Sequence, residues 1–365
     1  MPQGESFWNP YRMIPVRNSI ERKSPVTHEK IKGKCGRITC TLENLTPLFV
    51  SDGKAGNPRL LLKRNGIPVI PGSSLKGMLR SLTETIGGGC CISDDRGSNC
   101  HKDYAACSQA GSLCIACRMF GMMERKSEAR IHQGNVGIGD ALLRENSPQT
   151  ERLEILMGSP ATRHQSFYLT PQTGKMDGKC RKFYFHQPGV NRNFPKVPVG
   201  IKDRAWNVMA LKPGHHFDFE VSFSNLREEE LGLLLYVLHL EEEVSVVIGK
   251  EKLKLSGPMC HKIGNAKPMG LGSCHISVTK LMLLPEPSQR FRSLTDQAGQ
   301  ITEGDALANQ IRQLTQTYVN DRDSETMQQL RKIMVWDEKD SRSFHYPDYT
   351  WFKNAENSGK SLKEI

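Results

Sequence analysis

Two segments of the chain each place an alternating strand pattern before an amphipathic helix pattern. In the first segment, Ile38, Cys40 and Leu42 alternate with polar residues, which predicts a half-buried strand. A helix pattern follows over residues 73–87, with Ser73 and Ser74 expected as its N-cap. Its apolar residues recur at helical spacing, at Leu75, Met78, Leu79 and Leu82. Between strand and helix, Asn65-Gly66 predicts a β-hairpin.

The second segment repeats this order about 155 to 180 residues later. Residues 217–223 alternate apolar and polar side chains, and residues 231–238 then carry leucines on one predicted helix face. The sequence LGSCHISVTKL supplies a closing strand. Two strand–helix–strand units predict an α+β fold of the ferredoxin-like type, the plan of RRM modules.

The domain organisation follows from the segments that lack these patterns. We predict an N-terminal extension over 1–30, a core over 31–285 and a C-terminal helical extension over 286–365. The core is expected to carry insertions at 86–125 and 145–210. A single helix is predicted over about 304–336, either as an appendage or as an element that completes the core.

The charge balance favours a polyanionic partner. The chain has 50 Lys and Arg against 39 Asp and Glu, a net charge of +11, although a basic solvated surface is the alternative. The longest apolar run, residues 231–240, is about half as long as a membrane span requires. The N-terminus lacks the apolar stretch of a secretory signal, so we expect no membrane association and a cytoplasmic location.

Cysteines cluster in the glycine-rich segment between residues 87 and 121, which has no periodic pattern. In a reducing compartment such cysteines are metal ligands more often than disulfides. We predict a structural zinc site, because four thiolates leave no open coordination position. The predicted ligands are Cys100, Cys107, Cys114 and Cys117, with Cys90, Cys91 and His101 as alternates. A redox pair or unligated thiols would be the other interpretation of the C-x-x-C spacing.

Five motifs resemble those of RAMP-superfamily proteins from type III CRISPR effector complexes, in the same order along the chain. They are VIPGSSLKGMLRSLTE (69–84), CIACRMFG (114–121), the strand ending GDALL (139–143), RKFYFHQP (181–188) and KPMGLGSCHISV (267–278). The N-terminal NPYRMIPV (9–16) is similar to a type III-D subgroup. The resemblance covers about 9–285. It implies a RAMP core in which 145–210 forms a thumb, while the cysteines predict that the insertion 86–125 binds zinc.

The resemblance also implies partners and a function. Such subunits stack along a CRISPR RNA beside other RAMP subunits, and the guide pairs with a complementary target RNA. Each thumb interrupts the duplex. Catalytic members cut target RNA with an Asp from the loop after the first strand.

A strip of cations is expected to bind the RNA backbone without reading its sequence. Its members are Lys54, Arg59, Lys63, Arg64, Lys76 and Arg80. Ser73, Ser74 and the helix N-terminus would add donors, and Lys267, Gly270 and Gly272 would bring a glycine-rich loop to phosphate. The alternatives are a solvated basic helix face and an ordinary tight turn. In RKFYFHQP, the aromatic side chains either stack on bases or pack in the core.

Cleavage of RNA is the least determined function. Asp52 is the one carboxylate in the expected loop, and with Mg²⁺ it would be the catalytic residue. The spacing from Pro71-Gly72 instead points to Asn57, which would mark a subunit that binds RNA without cutting it. One alternative is an endoribonuclease that processes precursor CRISPR RNA with a His general base. Another is an unrelated zinc-containing RNA-binding protein.

Overall fold

The computed structural model describes residues 9–17, 19–91, 102–124, 129–156, 179–197, 202, 205–249, 252–290, 299–347 and 349–357. Helices and antiparallel strands are mixed along the chain. The strands are β1 Tyr11–Pro15, β2 Lys34–Asn44, β3 Lys63–Arg64, β4 Ile67–Ile70, β5 Met122–Met123, β6 Ile131–His132, β7 Val136–Ile138, β8 Ala141–Leu143, β9 Thr150–Leu156, β10 Cys180–Tyr184, β11 Ala205–Leu211, β12 His216–Leu226, β13 Val244–Ile248, β14 Leu253–Gly257, β15 His261–Lys262, β16 Ser273–Leu283 and β17 Gln300–Thr302. The helices are α1 Gly72–Gly87, α2 Ile115–Phe120, α3 Glu228–His239, α4 Gly304–Val319, α5 Glu325–Met334 and α6 Tyr349–Lys353.

A nine-stranded sheet forms the centre of the protein, in the order β15-β16-β2-β12-β8-β4-β3. β7 also pairs with β12, and β17 with β16. The pairs are antiparallel, and the register sets Ile38 of β2 beside Val221 of β12 and Leu281 of β16. β2 therefore lies between two long strands, β16 on one side and β12 on the other.

One face of this sheet is buried against helices. Ile38, Cys40 and Leu42 have 0% exposure, which confirms the alternation predicted from the sequence. α1 and α3 pack against each other, and α3 contacts both β12 and β16. The core sits between these helices and the three central strands.

The other face of the sheet carries paired charges. Arg144 Nε donates to the Asp218 carboxylate at 2.9 Å, and Thr41 Oγ1 donates to the same carboxylate at 2.9 Å. Arg37 lies 3.7 Å from Glu220. The solvent side of β2 and β12 is thus polar, because period-2 alternation leaves every second side chain there.

The start of α1 differs from the expectation. Its N-cap is Pro71, not Ser73 or Ser74, which lie within the first helical turn. Asp140 replaces the expected serine cap, since its carboxylate accepts a hydrogen bond from the Gly72 amide at 2.8 Å. Both serine hydroxyls therefore remain at the exposed helix surface.

The C-terminal helix predicted over 304–336 is wrong as a single element, since the structure has α4 and α5 in its place. Polar residues end the first helix and start the second. Ser324 accepts from the Met327 amide at 3.4 Å, and its own amide donates to Asp321 at 3.0 Å. Such side-chain caps compete with continued helix.

Both C-terminal helices are part of the core. Ile311 of α4 and Leu330 of α5 are buried in the same apolar cluster as the sheet residues. Arg331 Nη2 lies 2.8 Å from Glu241, and both side chains are almost fully buried. These contacts favour the interpretation that the segment completes the fold. The domain boundaries themselves stay a prediction.

The predicted extensions and insertions form smaller ribbons. β1 of the N-terminal extension pairs with β10, so NPYRMIPV lies beside RKFYFHQP. β9 pairs with β11 within the predicted thumb, whose residues 157–178 lie outside the described part of the chain. No helix among the described residues has the length and apolarity to cross a membrane.

Candidate nucleic-acid interface and metal centre

A groove of about 570 Å³ lies where three motifs meet. The first half of α1 forms one wall, β10 forms another, and the loop that follows β15 forms a third. The start of α1 and the loop after β15 are predicted from the sequence to bind RNA, whereas the aromatic residues of β10 are predicted either to stack on bases or to pack in the core. The fold brings these three segments together. The lining residues are Val50, Ser51, Pro71, Ser73, Ser74, Gly77, Met78, Ser81, Leu82, Lys182, Phe183, Tyr184, His186, Cys260, His261, Lys262, Ile263, Gly264, Asn265, Lys267 and Met334.

The groove is positively charged. Lys182, Lys262 and Lys267 line it, and no Asp or Glu is among its described lining residues. The hydroxyls of Ser73 and Ser74 add donors at the exposed start of α1. An excess of donors and cations suits an anionic backbone.

Burial makes these lysines unusual. Burial lowers the pKa of Lys182 to about 8 and, with Lys267 nearby, that of Lys262 to about 7. Burial likewise lowers the pKa of Lys267. Removal from water disfavours an ammonium ion, and a phosphate in the groove would restore that lost stabilisation. The groove is therefore better suited to an anion than to solvent.

Backbone and aromatic groups hold two of the lysines in place. Lys262 Nζ donates to the Phe185 carbonyl at 2.8 Å, while Lys182 Nζ lies 3.7 Å from the centroid of the Tyr11 ring. Tyr346 lies 3.5 Å from the same Lys182 nitrogen. The N-terminal strand and the C-terminal segment thus both contribute to one wall.

Close packing of neighbouring protein atoms requires glycine at positions 270 and 272 of the predicted loop. Gly270 and Gly272 have φ values of 96° and 77°. A Cβ on Gly270 would lie 2.5 Å from Val190, and one on Gly272 would overlap the Ile263 carbonyl oxygen. Close approach of protein to protein therefore explains both glycines, and neither lines the groove.

Two histidines line the groove, and both are buried. His186 Nδ1 lies 2.8 Å from Ser273 Oγ and its Nε2 lies 3.0 Å from the Cys260 carbonyl. Burial lowers the pKa of His186 to about 3 and that of His261 to about 4. Both rings are neutral at pH 7 and serve as packing and hydrogen-bonding groups.

The other predicted RNA residues lie around the groove or away from it. Lys54 and Lys63 are exposed, Lys76 is half-buried, and Arg64 pairs with Asp140 at 2.6 Å. Arg59 lies over the ring of Trp206, 3.3 Å from its centroid. Their roles stay predictions.

Arg80 is directed at the cysteines. Its Nη2 donates to Cys117 Sγ at 3.3 Å, and its Nε donates to Glu84 at 2.9 Å. Burial lowers the pKa of Arg80, but Cys117 and Glu84 outweigh burial and leave it raised. The helix pattern that placed Arg80 on a polar face could not show that the cysteine segment covers it.

Asp52 acts in a turn. Its carboxylate accepts a hydrogen bond from the Lys54 amide at 3.0 Å, which is the Asx-turn arrangement. Asn57 of the same loop is exposed. Asp52 belongs to no group of three or more metal-ligating side chains in the described ranges, and its role in cleavage stays a prediction.

Four buried cysteines form a compact cluster: Cys90, Cys107, Cys114 and Cys117, with Sγ atoms all within 4.8 Å of one another. Three of them are predicted zinc ligands, and Cys90 was an alternate. Cys100 and His101 lie outside the described residues. Sequence spacing gives no preference for Cys90. This residue follows the end of α1, far along the chain from the other three cysteines, and only the fold brings the four together.

The donor set fits zinc. Tetrahedral coordination with Zn–S of about 2.3 Å sets sulfurs about 3.8 Å apart, and Cys90 Sγ lies 3.6 Å from Cys117 Sγ. Amides point at the sulfurs as they do in thiolate sites, with Cys114 N donating to Cys107 Sγ at 3.3 Å. The hydrogen bonds from Cys114 and Cys117 lower the pKa of Cys107. The cluster is therefore compatible with a structural metal such as zinc.

The metal centre and the groove share α1. Cys90 follows α1. Cys114 is the N-cap of α2 and Cys117 lies within α2, which packs against α1. Arg118 Nε of α2 donates to Glu230 of α3 at 2.7 Å. The cysteine segment is thus tied to both helices that cover the sheet.

Comparison with known proteins identifies the class. The model of the RAMP superfamily matches residues 41–252, more than half of the chain. The chain therefore belongs to the RAMP superfamily, which points to CRISPR-associated RNA binding and argues against an unrelated zinc-containing protein. No curated protein matches the chain significantly.

We expect the purified protein to contain about one zinc ion per chain by elemental analysis. Cys90→Ser should lose most of it, because three thiolates remain. Cys91→Ser and Cys100→Ser are the controls and should retain it. Loss of zinc in Cys100→Ser with retention in Cys90→Ser would contradict the cluster seen here.

Proposed function

We propose that this protein is a CRISPR RNA-binding backbone subunit of a type III interference ribonucleoprotein. It holds the guide RNA for pairing with target RNA beside other RAMP subunits. The observation that carries this proposal is the groove between α1, β10 and the loop after β15. Three lysines line it, and no Asp or Glu is among the lining residues that the structure describes. Guide RNA varies in sequence, and a groove of ammonium and hydroxyl donors binds phosphate whatever the bases are.

We also propose that the central sheet is a ferredoxin-like RAMP core. In favour of this, the strands β16, β2, β12 and β8 lie in the order fourth, first, third and second. α1 follows the first of these strands and α3 follows the third. The type III-D assignment rests on the N-terminal motif, whose strand β1 pairs with β10 at the groove.

Binding is favoured over processing of precursor RNA. A His general base must reach the 2′-hydroxyl of the substrate. Both ring nitrogens of His186 are engaged with protein groups, and His261 donates Nε2–H to the Val237 carbonyl at 2.8 Å. Both residues are at most 3% exposed, so neither groove histidine is presented to a substrate.

Neutralising a groove lysine should weaken RNA binding. We expect Lys267→Gln to raise the Kd for mixed-sequence single-stranded RNA about tenfold, and to lower the salt slope by about 0.7, the value for one lost phosphate contact. Lys254→Gln removes the same charge from an exposed site on β14 and should change Kd less than twofold. Equal effects of the two variants in fluorescence anisotropy would assign binding to net charge and reject the groove.

RNA affinity should fall as pH rises from 6.5 to 9. The lowered pKa values of Lys262, about 7, and Lys182, about 8, mean that both lose their charge in this range, whereas ordinary lysines keep it. We expect about a tenfold loss of affinity at constant salt. Lys182→Arg should remove the part of the loss that occurs around pH 8, since arginine stays charged while Lys262 still titrates, and Lys254→Arg should leave the profile unchanged. A flat wild-type profile would count against phosphate contact by these lysines.

The substitution Asp52→Asn distinguishes a role of Asp52 in the turn from a role in catalysis. The amide oxygen can still accept from the Lys54 amide, but it cannot act as a base or a strong Mg²⁺ ligand. We expect unchanged RNA affinity and unchanged cleavage of target RNA by the assembled complex at this subunit's position. Loss of that cleavage with intact binding would identify Asp52 as the catalytic residue.

A further inference from the structure

Three charged side chains connect the cysteine cluster to the groove. Arg80 Nη2 donates to Cys117 Sγ at 3.3 Å, and its Nε donates to Glu84 Oε1 at 2.9 Å. The second oxygen of Glu84 accepts from Arg181 Nε at 3.0 Å. Arg181 directly precedes Lys182, which is one of the residues that line the groove.

Arg181 also contacts the backbone that carries the first thiol. Its Nη2 donates to the Gly89 carbonyl at 3.1 Å, and Cys90 is the next residue. Gly89 in turn donates its amide to the Glu84 carbonyl at 2.7 Å. The guanidinium of Arg181 therefore links β10, a wall of the groove, to the backbone that leads into Cys90.

The charged side chains of Arg80, Glu84 and Arg181 are largely removed from water, so each depends on the others to compensate its charge. The side chains of Glu84 and Arg181 are each 10% exposed, and that of Arg80 is 18% exposed. Removing one member of a buried ion pair leaves the other without compensation, so the remaining side chains rearrange. A zinc ion with four thiolates carries a net charge of about −2, which strengthens its attraction for Arg80.

We propose that Arg80, Glu84 and Arg181 couple the metal centre to the RNA groove, so that metal binding orders β10 and strengthens RNA binding. The inference rests on the RNA-binding function proposed for the groove. The three residues are positioning residues, since none of them lines the groove. Arg181 therefore acts on RNA through Lys182.

Coupling between two sites is reciprocal, which gives a test that needs no metal-free protein. The zinc-loaded chain is mixed with a chromogenic chelator, with and without saturating single-stranded RNA of mixed sequence. At equilibrium, RNA should reduce the amount of zinc that passes to the chelator, which corresponds to about fivefold tighter zinc binding in the wild type. In Glu84→Gln, more zinc should be released, and the amount should no longer depend on RNA.

Glu241→Gln is the matched control, because Glu241 is also a buried carboxylate paired with an arginine, Arg331, but lies outside this chain of contacts. It should keep the RNA dependence. Arg181→Lys should retain part of the effect and Arg181→Gln none, and these variants decide the matter if Glu84→Gln does not fold.

RNA-dependent zinc release that persists in Glu84→Gln and in Arg181→Gln overturns the coupling. So does a wild type that binds RNA with no change in zinc release. A wild type that binds no RNA rejects the function proposed for the groove, and with it the coupling. Zinc release from Glu84→Gln, measured without RNA, still shows whether Glu84 supports the metal centre.

Discussion

The packing of α1 against the sheet positions both candidate sites. Leu75, Leu79 and Ile86 are fully buried beneath the neighbouring elements, so the helix cannot rotate or slide without opening the core. Its 16 residues span about 24 Å, with exposed serines at the groove and Cys90 shortly beyond its C-terminal end. The same rigid element therefore sets the position of one wall of the groove and of the segment that carries Cys90.

Desolvation is the physical property that the groove and the metal centre have in common. In the groove it lowers the pKa of Lys182 and Lys262, so these ammonium groups gain when a phosphate replaces the missing water. At the metal centre it makes four neighbouring thiolates costly unless a cation compensates them. Each site is thus strained in the way that its proposed ligand relieves, which is a firmer basis for function than the overall charge of +11.

Local patterns predicted the elements well, and long-range contacts limited the prediction of the sites. Periodicity placed β2, α1, β12 and α3, because their alternation depends on one buried face. It could not show that Asp140 would cap α1, or that Arg80 would be covered by the cysteine segment, since both depend on residues about 40 to 70 positions away. Cys90 was similarly undetermined, because the fold of the intervening loop decides which thiols meet. The break between α4 and α5 was local, but side-chain capping there outweighed the helical pattern.

The chain of Arg80, Glu84 and Arg181 is not explained by stability alone. Apolar residues of similar volume commonly stabilise a core as well as a buried ion pair does, and they need no exact partner. Linked charged side chains have one property that leucines lack. Their arrangement depends on the charge of the group that they contact, which here is Cys117. Cys117 supplies that charge when it is a metal-bound thiolate, and Arg181 transmits the arrangement to the strand that presents Lys182. The ionic contacts are therefore suited to report the state of the cysteine cluster to the groove, which an apolar interface could not do.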